Sequence, residues 1–359
     1  MVLSPPQAQS VISSLTVGTL WYTRCPVPTA SSLAIQQGWL DEEFLPDGIE
    51  VASLRQSDQR AVRESHFSHT QANSFRQGGN IPPIWARSQG QDLQLIGLSW
   101  AEQYQAILAL PESRIRSAQD LRGRRLALPQ RIHDPIDFWR ATSLRGYLSA
   151  LELVGLSEKE VEFVDLSVAE PYITDLNPSH TGPLFTSQNL KRLQSTEVFA
   201  LIRGEVDAIY VSGGRGAELQ AFLGAVVVTD LGRHPDPAVR INNITPAALT
   251  VSGSLVRERP DLVTRYVTRL LEAAAWAEIH PHLTKRIIAA EVGVAEEWVD
   301  LAYPSDLHTH LTPELSEQSI AAIESQKNFL LKWGFIQQDF DLRSWVNSEP
   351  LEAAKRRFH

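Results

Sequence analysis

The segment from Thr16 to Leu54 restricts the fold more than any other part of the chain. Thr16 to Tyr22 reads as a buried strand. Ala30 to Leu40 places Leu33, Ala34, Trp39 and Leu40 on one helix face, with Gly38 near its end. Asp47-Gly48 is a turn signal, and Ile49 to Leu54 is a second strand. This is a β-α-β unit, the building block of a parallel sheet, so the expected fold class is α/β.

At 359 residues the chain has room for two domains of ordinary size. With 43% hydrophobic and 21% charged residues it is globular in composition. A net charge of −9 argues against nucleic acid as a partner, which calls for a basic face. Purely apolar runs are short, such as Ala273 to Ala277, so no membrane span is expected. The single cysteine rules out an internal disulfide. Met1 to Leu20 has no Lys or Arg, and Pro5, Pro6, Gln7 and several serines interrupt its apolar residues. That is not the pattern of a secretory signal peptide, and a cytoplasmic protein is expected.

Residues 55 to 80 break the alternation of strand and helix. They are polar, hold His66, His69, Gln71, Asn73 and Arg76, and close on Gly78-Gly79-Asn80. A loop or short helix is expected there, in the position where α/β proteins place ligand contacts. Ile81-Pro82-Pro83 opens a helix, and strands follow at Leu93 to Leu98 and Gln105 to Leu110. A second α/β region begins near Ser117. It has a strand at Leu126 to Leu128, a long helix from Phe138 to Val154, and a strand at Val161 to Leu166. Residues 171 to 190 read as a surface excursion. Val198 to Tyr210 is a helix, a glycine stop and a strand; Ala225 to Thr229 is the last strand of this region. Asp230 to Ile244 reads as a crossover linker, Ala247 to Ser252 as a strand, and Leu255 to Trp345 as mostly helical.

The lone thiol sits in Arg24-Cys25-Pro26-Val27-Pro28-Thr29, between the first strand and the first helix. Taken alone, such a cysteine is commonly a small buried hydrophobe. His66 and His69 are three apart, the spacing of a metal pair on a helix, but no third ligand lies nearby in the sequence. His133-Asp134 and His308-Thr309-His310 form no recognisable site. Trp21, Trp85, Trp100 and Trp139 suit a core, with one or two available to line an aromatic pocket.

Two runs carry a resemblance that covers most of the chain. They are Asp120-Leu121-x-Gly123-x-x-Leu126-Ala127 and the apolar helix ending in Gly204-Glu205-Val206-Asp207-Ala208. With the β-α-β start and helical C-terminal part, they resemble solute-binding proteins of the sulfonate and thiamine-precursor branch. The resemblance implies a two-lobed, periplasmic-binding-protein-like (type II) α/β fold with a ligand cleft between the lobes. Lobe one would comprise residues 1–100 with 245–359, lobe two residues 101–230, and residues 231–244 the crossover linker.

A closer set of matches is Cys25-Pro26-Val27-Pro28, His66-Phe67 and Arg76-x-Gly78-Gly79-x-Ile81-Pro82-Pro83. These resemble the 2'-hydroxybiphenyl-2-sulfinate desulfinase family, as does Gly253 to Pro260. The resemblance implies that Cys25, His66 and Arg76 form the active site, with ten residues between the last two. It also implies that the Gly79 N–H faces substrate oxygens beside Gly78, and that Trp139 lines the pocket. The implied activity is cleavage of an aromatic sulfinate to the arene and sulfite, by a monomer with no cofactor and no metal.

The residue types suit that chemistry. Arginine offers a permanent, planar, bidentate donor to sulfinate oxygens. Glycines let backbone N–H groups approach the same oxygens. Cys25 serves either as a nucleophile on sulfur or as a proton donor to the ring carbon, with His66 as base or orienting partner. A different class, a non-catalytic solute-binding protein for sulfonates or aromatic acids, fits the same fold. A thiamine-type pyrimidine-precursor synthase would require another arrangement of Cys and His.

Overall fold

The computed structural model describes residues 17–173 and 194–358. The chain opens with β1 (Thr19–Arg24), α1 (Ala30–Gln36), α2 (Trp39–Phe44) and β2 (Glu50–Ser53). The single helix expected over Ala30 to Leu40 is therefore two. They are divided at Gly38, whose φ of +77° is readily adopted only by glycine. The Thr29 hydroxyl caps α1 by accepting from the Ser32 N–H.

The expected loop of residues 55–80 is not one. It contains α3 (Arg60–Ser68) and then β3 (Ser74–Gly78), followed by α4 (Ile81–Ser88). All five β3 residues are buried, because the strand lies in the middle of a sheet. The sheet runs β2-β1-β3-β10-β4, with β4 at Leu93–Ser99 and β10 at Ala247–Ser252. Strands β1, β2 and β3 are mutually parallel, while β10 is antiparallel to both β3 and β4.

The second half of the molecule repeats this plan. Its elements are β5 (Gln105–Ala109), β6 (Arg125–Arg131), α5 (Phe138–Glu152), β7 (Glu162–Val168), α6 (Ser195–Ile202), β8 (Ile209–Ser212), α7 (Gly213–Leu223) and β9 (Val226–Asp230). Strand β5 is antiparallel to both β8 and β9, and β6 pairs in parallel with β7. A parallel bridge between Leu126 and Ala208 joins the two groups, giving the order β7-β6-β8-β5-β9. The Ala127 N–H donates to the Ala208 carbonyl at 3.1 Å across this bridge.

Each sheet thus receives one antiparallel strand from chain arriving from the other lobe. Strand β4 ends at Ser99 and β5 starts at Gln105; β9 ends at Asp230 and β10 starts at Ala247. These two crossings produce the two-lobed, binding-protein-like fold. In the first lobe the parallel strands β1 and β3 end at Cys25 and Gly79; in the second, β8 ends at Gly213. Those carboxyl ends face the cleft, where open α/β sheets hold ligands.

The first sheet packs on the helix Pro260–Ile279, whose Leu262, Tyr266, Leu270 and Ala274 are buried. Phe75 of β3 stacks on Tyr266 with ring centroids 3.7 Å apart. A helix at Glu349–Phe358, beyond the helical stretch expected to end near Trp345, seals that layer with Leu351 and Ala354. Arg145 of α5 ties the lobes together. It donates to the Ile241 carbonyl at 2.9 Å in the second crossing, and to Ser325 Oγ at 2.9 Å on a helix of the first lobe. Burial pulls its pKa down to about 10. The surface excursion expected over 171–190 lies outside the described residues from 174 onward. Among the described residues, no helix is long and apolar enough to cross a membrane.

Helix α5 lies directly on β8 at Gly146, where a Cβ would overlap the Tyr210 ring. Gly146→Ala should cost about 1–3 kcal/mol of stability through overpacking. Urea unfolding of the variant tests this, and an unchanged midpoint would show that α5 and β8 are not in such close contact.

Candidate active site

Cys25 is the first residue after β1, and the register pairs Arg24 with Gln77 of β3. Gln77 holds both ends of the turn that follows. Its carbonyl accepts from the Cys25 N–H at 3.2 Å, and its side-chain oxygen accepts from the Ser31 N–H at 2.9 Å. The Cys25 carbonyl accepts from the Val27 N–H at 2.8 Å. Pro26 and Pro28 stiffen the same turn. Gly78 makes room for the thiol: a Cβ there would lie 2.5 Å from Cys25 Sγ.

Arg76 projects from β3 and is 2% exposed. Its Nε donates to the His66 carbonyl at 3.2 Å, its Nη1 to the Gly79 carbonyl at 2.6 Å, and its Nη2 to Cys25 Sγ at 3.3 Å. Two carbonyls therefore fix the plane of the guanidinium and turn its third edge to the thiol. Burial lowers its pKa, opposed by the Cys25 thiol and Tyr172; no carboxylate is among the charges that act on it. An arginine keeps its charge even here, so the site holds a fixed cation with coordination to spare.

His66 lies on α3, 2% exposed. Its Nδ1 shares a hydrogen bond with Thr23 Oγ1 at 2.8 Å, and its ring stacks on Tyr172 at a centroid distance of 5.8 Å. Burial, then Arg76, Arg55 and His69, hold its pKa well below the ordinary histidine value. The imidazole is neutral. His69 faces away from this cluster. Its Nδ1 donates to the Phe67 carbonyl at 2.9 Å, leaving Nε2 buried without a partner. Burial first, and Arg76 second, bring the His69 pKa down to about 3. Among the described residues, no group of three or more His, Cys, Asp or Glu side chains could hold a metal.

Cys25, His66, Arg76 and Trp139 line one cavity of about 130 Å³ between the lobes. Gly78 and Gly79 stand just behind its wall. Gly78 packs under Cys25, and Gly79 packs on Asn243, whose side chain a Cβ would meet at 2.6 Å. The indole Nε1 of Trp139 is buried and has no hydrogen-bond partner. Phe67, Phe138 and Tyr172 form an aromatic cluster on the same wall; Phe67 and Phe138 stack at 5.8 Å.

Several lining residues carried no sequence signal. Asn243 was part of an expected linker, yet its carbonyl accepts from the Asn80 N–H at 2.6 Å and its Oδ1 from the Ile81 N–H at 3.0 Å. Asn242 Nδ2 reaches the Thr142 carbonyl and the Tyr210 hydroxyl, both at 3.1 Å. The second crossing is thus bonded to both lobes at the cavity floor. Ser212-Gly213-Gly214-Arg215, also lining the cavity, was legible in principle: paired glycines between a strand and a helix are a cleft signature.

Residues 28–176 match the family model described as NMT1/THI5 like. The chain is similar to the protein named 2'-hydroxybiphenyl-2-sulfinate desulfinase from Rhodococcus erythropolis, at 30% identity over 375 residues, covering 99% of this chain and 98% of the relative. Among solved structures it is similar to the desulfurization enzyme DSZB, with a TM-score of 0.75 and 29% identity over 95% of this chain and 99% of that one. A cysteine-to-serine mutant of DSZB in complex with biphenyl-2-sulfinic acid gives a TM-score of 0.74 at 27% identity, covering 94% and 99% of the two chains. The aliphatic sulphonate binding protein SsuA from Escherichia coli shares the fold, with a TM-score of 0.63 at 15% identity over 92% of each chain.

The buried histidines predict a pH dependence of stability. The unfolded chain protonates histidine near pH 6.5, whereas folded His69 stays neutral down to about 3. Below pH 6.5 the unfolded state therefore binds more protons, and stability falls as pH drops from about 6.5 toward 3. His69→Asn, which suits the backbone φ of 55° there, should reduce that slope by up to about 1.4 kcal/mol per pH unit. Urea unfolding at pH 7, 6 and 5 measures it; parallel curves for the two proteins would contradict the assignment.

Proposed function

The chain belongs to the 2'-hydroxybiphenyl-2-sulfinate desulfinase family, and from that premise we propose that it hydrolyses the carbon–sulfur bond of an aromatic sulfinate at Cys25. The substrate is 2'-hydroxybiphenyl-2-sulfinate or a related aryl sulfinate, and the products are the arene and sulfite. The observation that carries this reading is the Arg76 guanidinium, held by two carbonyls and directed at Cys25 Sγ in an aromatic-lined cavity.

In this proposal Arg76 and the Gly79 N–H hold the sulfinate oxygens, with Gly78 keeping the backbone close beside the thiol. The aromatic rings, Trp139 among them, hold the organic part. Cys25 Sγ gives its proton to the ring carbon that carries sulfur. The C–S bond breaks with its electron pair returning to the ring, and sulfur dioxide leaves. Arg76 Nη2 then faces the negative charge left on Sγ, a contact that strengthens as the proton departs. Water adds to sulfur dioxide to give bisulfite, and its released proton returns to Sγ through neutral His66. The net reaction is sulfinate plus water giving arene plus bisulfite, with no cofactor. Attack of a thiolate on the sulfinate sulfur would instead bring two negative charges together.

The lobe limits given above, a cytoplasmic location and a monomeric state belong to the same proposal. The strand membership of the two sheets supports the first. A non-catalytic sulfonate carrier would use Arg76 as an anion anchor but has no need of a thiol against it.

Purified protein incubated with 2'-hydroxybiphenyl-2-sulfinate should release sulfite and 2-hydroxybiphenyl in equal amounts. Cys25→Ser should lower turnover by roughly 10²–10⁴-fold while keeping substrate affinity. Arg76→Ala should weaken binding as well as turnover. A fully active Cys25→Ser protein would remove the thiol from the mechanism. Tight binding without turnover in the wild type would favour the carrier.

A further inference from the structure

The chemistry at Cys25 uses only one end of the cavity. The other end is built by lobe two and by the first crossing, and it is polar. Helix α7 begins there, and Ser212, Gly213, Gly214 and Arg215 all line the space. The Gly213 N–H is used, donating to the Tyr104 carbonyl at 2.8 Å. Ser212 leaves the start of the helix without a side-chain cap. An eleven-residue helix that opens uncapped into a cavity presents N–H groups and partial positive charge to whatever lies there.

A second observation points to a ligand. Gln103 also lines this end and is 6% exposed, yet its side-chain amide makes no hydrogen bond among the described residues. Its Oε1 lies 3.2 Å from where a Gly213 Cβ would stand, with the Tyr303 hydroxyl 3.4 Å from the same point. Gln105, two residues on, shows the contrast: both ends of its amide are bonded, to the Arg240 carbonyl and the Tyr210 hydroxyl. Arg215 is ion-paired with Glu218, but its Nε is buried and unpartnered. Buried amide and guanidinium donors are ordinarily satisfied, and here they converge on one open space.

We propose that Gln103, Tyr303, Arg215 and the start of α7 form a second polar subsite, which binds a hydrogen-bond-accepting oxygen on the part of the sulfinate remote from sulfur. The preferred substrate is then an aryl sulfinate with a hydroxyl or carboxylate on its distal ring. This rests on the desulfinase reading for the identity of the ligand, and adds the determinant of which sulfinate is chosen. The ion pair with Glu218 keeps Arg215 from presenting a full uncompensated charge, so a phenolic oxygen and a carboxylate are both accommodated.

The test is calorimetric titration of the Cys25→Ser protein with biphenyl-2-sulfinate and its 2'-hydroxy, 2'-carboxy and 4'-carboxy derivatives. At least one derivative should bind roughly 10-fold more tightly than the parent compound. Gln103→Leu in the same background should erase that preference. Gln103→Glu, nearly isosteric, should turn it against the carboxylates while keeping the hydroxyl. Equal affinity for all four compounds overturns the proposal, as does a preference that both Gln103 variants leave intact. Sulfite release by the wild type from unsubstituted biphenyl-2-sulfinate reports separately on the desulfinase reading, because that compound lacks the distal oxygen.

Discussion

Much of the structure serves to hold one cation in place. Arg76 sits inside the protein with no carboxylate to offset it, and burial works against its charge. Its N–H groups are taken up by the carbonyls of His66 and Gly79 and by Cys25 Sγ. Each of those partners comes from a different element. The His66 carbonyl requires α3 to pack over the strand, the Gly79 carbonyl requires β3 to end where it does, and Sγ requires β1 to lie beside β3. Moving any of the three leaves a buried donor unsatisfied, at a cost of roughly 1–3 kcal/mol, and more for a charged group. The same cation depresses the basicity of both neighbouring histidines, so the site is electropositive without a protonated imidazole.

The outer frame was legible in the sequence. The run from Thr16 to Leu54 gives β1, two helices and β2, because apolar residues there follow the periods of strand and helix. The run Asp120 to Ala127 likewise marks the entry to β6. Strand β3 was not legible, for a physical reason. Ser74-Phe75-Arg76-Gln77-Gly78 has one apolar side chain, and nothing local says that the others can be buried. They are buried because distant groups satisfy them. Gln77 bonds the Ser31 N–H, Ser74 bonds the Gln71 carbonyl, and Arg76 has its carbonyls. Asn242 and Asn243 escaped notice in the same way, as polar residues whose partners are about one hundred or more positions away.

Of the candidate site residues, Cys25, His66, Arg76 and Trp139 meet in one cavity. The two glycines have roles that a motif does not convey. Gly78 is required by the thickness of the Cys25 side chain, and Gly79 supplies a carbonyl to Arg76 as well as the N–H proposed for the substrate. Only the packed structure separates these demands.

The exchange of strands between lobes also constrains how the chain is completed. Strand β4 belongs to the first lobe by sequence, but its neighbour in the sheet is β10, and β10 is also the second neighbour of β3. That strand spans Ala247–Ser252. While the protein is being synthesised, the first lobe therefore waits for most of the chain to appear before its sheet can close. Until then β3 has an open edge, the kind of surface that invites pairing with other chains. The strand that carries the reactive arginine is thus among the last to be enclosed, and the polar character that hid it from sequence reading gives its exposed edge little apolar surface in the interval.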